Sequence, residues 1–106
     1  MASWDKKEFN QRKEATVIAL RTTDGQVVSG SCVLYGATLC DTSGVAQRAH
    51  LHHGTSTAGP HIMGLSTAGN TSVNVESGVG IACPNGIYID VLAGTLTGSL
   101  FYKLTQ

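Results

Sequence analysis

Asn85-Gly86-Ile87-Tyr88-Ile89-Asp90-Val91 decides the fold class. Ile87, Ile89 and Val91 alternate strictly with Tyr88 and Asp90. A period of two sets the aliphatic residues on one face of a strand and the polar pair on the other. Asn85-Gly86 is a tight-turn pair ahead of the run, and Gly94 ends it.

The same grammar extends in both directions. Toward the C-terminus, Thr95–Lys103 forms a last strand. Leu96, Leu100, Tyr102 and Leu104 share one parity there, and Phe101 takes the other. Toward the N-terminus lies Thr71–Ser77, with Val73 and Val75 on one face. Before it, Pro60 opens a strand carrying Ile62, Met63 and Leu65, which ends in a turn at Ser66–Asn70. Ala46–His53 is the preceding strand, followed by a loop over Gly54–Gly59. The turn Thr42-Ser43-Gly44 separates it from Cys32–Asp41, where Gly36 predicts a bulge or bend. Ala15–Arg21 is the first run, and Asp24-Gly25 predicts a tight hairpin into Gln26–Ser29. Short strands punctuated every eight to twelve positions mark a sandwich or barrel. The expectation is an all-β, jelly-roll-like β-sandwich of about eight short strands in two sheets, with a short N-terminal arm or helix.

At 106 residues the chain holds one domain. Its charges are uneven. Asp5, Lys6, Lys7, Glu8, Arg12, Lys13 and Glu14 supply half of the fourteen, and residues 15–106 supply the rest: Arg21, Asp24, Asp41, Arg48, Glu76, Asp90 and Lys103. That divides the chain into a charged arm, 1–14, and a β-sandwich domain, 15–106. Depletion of Lys, Glu and Asp marks the core of an interface, whereas a free-standing domain keeps mixed surface charge. Within the arm, Asp5 and Glu8 have capping-box spacing, and Trp4 and Phe9 fall at the positions of a hydrophobic staple. A helix over roughly residues 6–14 would need something to pack on. Trp4 and Phe9 are the candidate partner-binding residues.

Net charge is zero, which removes the electrostatic footprint of a nucleic-acid binder. No apolar run is long enough for a membrane span, and Met1–Asn10 does not read as a secretory signal. Catalytic constellations fail in turn. No G-x-S-x-G elbow or phosphate-cradling loop occurs. Asp24 and Asp41 sit in turns, where Asp hydrogen-bonds locally. Glu76 and Asp90 are lone carboxylates. The expectation is a non-enzyme with no catalytic residue and no cofactor.

Cys32, Cys40 and Cys83 are odd in number and lack a CxxC pair, so they read as reduced thiols serving as buried small hydrophobes. His50, His52, His53 and His61 are the one chemical cluster. On a strand His50 and His52 point to the same face while Leu51 points to the other. Two imidazoles fall short of the four ligands of structural zinc, so the expectation is no metal. A three-fold assembly could pool six imidazoles from this pair in an octahedral site on its axis.

From Val33 to Lys103 the order of motifs resembles small β-sandwich virion proteins of tailed bacteriophages. The resemblance is carried by Leu34-Tyr35-Gly36, Asp41-Thr42-Ser43-Gly44 and Leu51-His52-His53-Gly54-Thr55-Ser56-Thr57-Ala58-Gly59. It continues through Gly78-Val79-Gly80-Ile81, Asn85 to Val91, and Gly98-Ser99-Leu100-Phe101-Tyr102. Such proteins often carry aspartate before the glycine that here follows His53, so this loop departs from the pattern. The resemblance implies a virion structural part made in the bacterial cytoplasm. First among these is a capsid decoration (cement) subunit that binds a major capsid protein and its own neighbours as a trimer or hexamer. The alternatives are a tail- or fibre-associated subunit that binds a tail protein, or a carbohydrate- or receptor-binding module.

Overall fold

The computed structural model describes residues 16–105. The arm, with Trp4 and Phe9, lies outside the described residues. Eight strands follow in order: β1 (Thr16–Ala19), β2 (Gly25–Val28), β3 (Cys32–Cys40), β4 (Gln47–His53), β5 (His61–Thr67), β6 (Ser72–Cys83), β7 (Ile87–Ala93) and β8 (Gly98–Leu104). They form two four-stranded sheets, ordered β1-β8-β3-β6 and β2-β7-β4-β5. Every pairing is antiparallel. The chain passes from one sheet to the other and back, the double Greek key of a jelly roll.

The core is the sum of the inward parities. Leu34, Ala37 and Leu39 of β3 and Leu100 of β8 face Ala49 and Leu51 of β4, Leu65 of β5, and Ile87 and Ile89 of β7, all essentially inaccessible to solvent. Burying each large aliphatic contributes about 1.5–3 kcal/mol. Val73 and Val75 share the inward face of β6, as their spacing requires. Gly36 marks a true irregularity: Leu34 pairs with Ile81 but Gly36 pairs with Glu76, so residues 77–80 of β6 have no partner on β3. A Cβ at Gly36 would approach the Val75 carbonyl oxygen at 2.7 Å, which only glycine avoids.

Two expectations are corrected. Asp24-Gly25 does not close a hairpin, because β1 pairs with β8 and β2 with β7. Asp24 instead reaches across to β7, where its Oδ1 accepts a hydrogen bond from the Val91 amide at 2.7 Å. Asn85-Gly86 likewise joins strands of different sheets, and among the described residues the one hairpin between consecutive strands is β4–β5. The second correction concerns the cysteines. Cys32 and Cys83 are buried cross-strand neighbours, but Cys40 is exposed. Beyond the bulge Ala37 and Leu39 point inward, so Cys40 falls on the outward parity at the end of β3.

Asp41 anchors one end of the sandwich. Its carboxylate accepts hydrogen bonds from the Ser43 amide and hydroxyl, the Gly44 and Asn70 amides, and the Gln47 side chain. The turn role expected of Asp41 is present, and it extends across to the β5–β6 connection through Asn70. Chiefly the Ser43 hydroxyl, then the Asn70 amide, hold the carboxyl well below the usual carboxylate range.

Candidate functional site

Strand β4 does two jobs with its two parities. Ala49 and Leu51 enter the core, while Arg48, His50 and His52 project from the outer face of the β2-β7-β4-β5 sheet. His50 and His52 thus share a face, as their spacing demands. The neighbouring strands complete the surroundings through register. On β7, Asp90 lies opposite His50 and Tyr88 opposite His52. On β5, Gly64 lies opposite His50 and His61 opposite His52. With no side chain on Gly64, the His50 imidazole has space above β5; a Cβ there would stand 3.5 Å from its Cδ2.

The result is a three-imidazole cluster with an adjoining carboxylate. Ring centroids are 4.7 Å apart for His50 and His61, 5.5 Å for His52 and His61, and 6.3 Å for His50 and His52, all edge-to-face. One ligand atom each from His50, His52 and Asp90 lies within 4.8 Å of the other two. His50 and Asp90 are half-buried, His61 is exposed, and His52 is only 9% exposed. The ring of His52 is fixed by its Nδ1, which stands 3.0 Å from the Gly59 carbonyl oxygen. A carbonyl only accepts, so Nδ1 is the donor. The other nitrogen, Nε2, is buried and has no hydrogen-bond partner. Gly59 is needed for this arrangement, since a Cβ on it would collide with the His53 carbonyl oxygen.

His53, the fourth histidine, goes elsewhere. It lines an open groove of about 610 Å³ at the loop end of the sandwich, with Gln26, Gly54, Pro60 and Asn85. No phenyl, phenol or indole ring lines that groove. Sequence reasoning grouped His61 with His50, His52 and His53 and saw that His50 and His52 share a face, but left Asp90 a lone carboxylate. The available signal was the polar parity of residues 87–91, which required Asp90 to face outward; nothing local said which strand would lie beside it.

The opposite outer face, on the β1-β8-β3-β6 sheet, is of another kind. Val17, Ala19, Val33, Thr38, Cys40, Ser72, Asn74, Ala82, Ser99 and Phe101 occupy its outward positions, with Glu76 and Lys103 the charged residues on that parity. Val17 is 59% exposed and pairs directly with Phe101, which in turn lies opposite the bare Gly36. No protein-family model matches the chain, and neither a curated protein nor a solved structure does.

Proposed function

We propose that the protein is a non-enzymatic assembly subunit, specifically a capsid decoration subunit of a tailed phage that binds the shell and its own neighbours. The observation that carries this reading is the outer face of the β1-β8-β3-β6 sheet, where Val17 and Phe101 pair side by side over the bare Gly36 among mainly neutral side chains, with Glu76 and Lys103 the charged ones. Charge depletion with aliphatic and aromatic side chains is what a protein–protein interface core requires, and a sheet face offers it as one broad surface. The jelly-roll topology accords with the sequence resemblance to virion β-sandwiches, although a fold by itself hosts many roles. Residues Val17 and Phe101 form the centre of the interface, and closed cyclic symmetry gives a trimer or hexamer. The arm, through Trp4 and Phe9, docks on the shell. A sugar-recognition role is the weaker reading, because the loop-end groove lacks the ring faces on which saccharides stack.

The test is the solution mass of the chain by size-exclusion chromatography with light scattering, across a range of concentrations. A trimer or hexamer is expected. A chain that stays monomeric throughout overturns the reading, and saturable glycan binding by that monomer would select sugar recognition instead. Capsid or tail location is then read by electron microscopy of virions labelled with an antibody to the chain.

A further inference from the structure

We infer that the outer face of the β2-β7-β4-β5 sheet is a divalent metal site, with His50, His52 and Asp90 as ligands and Zn²⁺ as the cation it fits. The inference stands apart from the assembly reading, since every ligand comes from one chain.

The argument starts at His52. Its Nδ1 donates to the Gly59 carbonyl oxygen, which fixes the neutral ring as the tautomer with a bare lone pair on Nε2. That lone pair is buried in a residue only 9% exposed and meets no donor. A buried polar atom left without a partner is costly, so the arrangement is explained by a Lewis acid that takes it up. A metal-bound imidazole characteristically donates its other N–H to a backbone carbonyl, which is what Gly59 accepts here.

The partners supply the rest of a ligand set. His50 sits two residues along the same face, and Asp90 is held opposite it by the β4–β7 ladder. Ligand atoms of the three lie within 4.8 Å of one another. Zinc bonds near 2.0–2.1 Å in tetrahedral geometry set ligand atoms roughly 3.3 Å apart, so side-chain rotation of half-buried His50 and Asp90 closes the set without moving the ladder. Two imidazoles and a carboxylate match zinc in softness; calcium and magnesium would want oxygens alone. His61 stands at the rim on the edge strand β5, its ring edge-on to both His50 and His52, and its exposed side chain swings in as the fourth ligand. Bound there, the cation ties β5, β4 and β7 together across their outer face.

The experiment is calorimetric titration of the full chain with Zn²⁺ in a non-chelating buffer, alongside thermal unfolding and long-range ¹H–¹⁵N spectra of the histidine rings. The expected result is saturable binding of one Zn²⁺ per chain, a rise in Tm that grows with free zinc, and a shift at His52 Nε2 with Nδ1–H retained. His50→Ala and Asp90→Asn should each weaken binding by more than about 100-fold, beyond the 10–100-fold that follows from losing only a partner of a ligand. His53→Ala and Cys40→Ser should leave it unchanged. Absence of saturable binding overturns the inference, as does binding that survives Asp90→Asn and His50→Ala or disappears with Cys40→Ser. Should either ligand variant unfold, the wild-type spectra decide: a metal-free His52 carrying its proton on Nε2, or a His52 resonance indifferent to zinc, is equally fatal.

Discussion

The two outer faces of this sandwich obey the same geometry and carry different side chains. Both are the solvent parity of four antiparallel strands, and both cover the same core. On β1-β8-β3-β6 the outward positions hold valine, alanine, serine and threonine with Phe101, Asn74, Cys40, Glu76 and Lys103. On β2-β7-β4-β5 they hold Arg48, His50, His52, His61, Tyr88 and Asp90. A sheet face needs only alternation to fold, so outward residues are free to be chosen for what they meet. The contrast teaches that the aromatic and aliphatic pair Val17–Phe101 marks one face and the imidazole cluster the other, a difference that the proposed assembly and metal roles would each use.

The comparison is broken most sharply by placing a charge on the Val17–Phe101 face. Phe101→Glu is expected to weaken self-association by about a hundredfold or more, the scale of losing an interface hot spot. Arg48→Glu, on the histidine face, should leave the oligomer unchanged. Light scattering across a dilution series reads both. Equal effects from the two would mean that the faces do not differ in function.

A second contrast lies within β4, one residue apart. Leu51→Ala should cost about 2–5 kcal/mol in urea unfolding, because it empties core volume. His50→Ala in metal-free buffer should stay within about 0.5 kcal/mol of wild type, as for surface substitutions. Adding Zn²⁺ should separate wild type from His50→Ala and leave the Leu51→Ala penalty in place.

The end of the sandwich anchored by Asp41 gives a pH signature. Hydrogen bonds from Ser43 and Asn70 hold the folded-state carboxyl below its unfolded value near pH 4. The stability they add is therefore fully present above about pH 4 and is lost as pH falls through and below that range. Stability measured against pH should decline there for the wild type and more shallowly for Asp41→Asn, which has no carboxyl to titrate.

The smallest effect concerns thiol reactivity along β3 and β6. Burial pushes the Cys83 thiol up to about 12 and raises that of Cys32, while Cys40 is exposed. A thiol reagent at neutral pH should titrate Cys40 alone in the folded chain and all three cysteines in denaturant. Fast labelling of Cys83 in the native state would mean that the edge strand β6 opens readily.

Much of this was legible in the sequence. Alternation in residues 87–91 fixed which side chains of β7 enter the core, and His50 and His52 had to share a face. Gly36 announced the bulge, and Asp41 announced its turn. Other features were not legible. Asp24-Gly25 has hairpin chemistry but spans two sheets, because a turn dipeptide says how tightly the chain bends and not which strand it rejoins. Cys40 escaped the core because the bulge at Gly36 reset the parity beyond it.

The division has a physical reason. Parity along a strand is a local property with a period of two, so the residues by themselves determined the alternating faces, the turns and the all-β class. Pairing between strands depends on register between segments far apart in the chain, and no local rule supplies it. Only the tertiary structure brought Asp90 and His61 beside the His50–His52 pair, gave His52 a carbonyl for one nitrogen, and left the other with a buried lone pair.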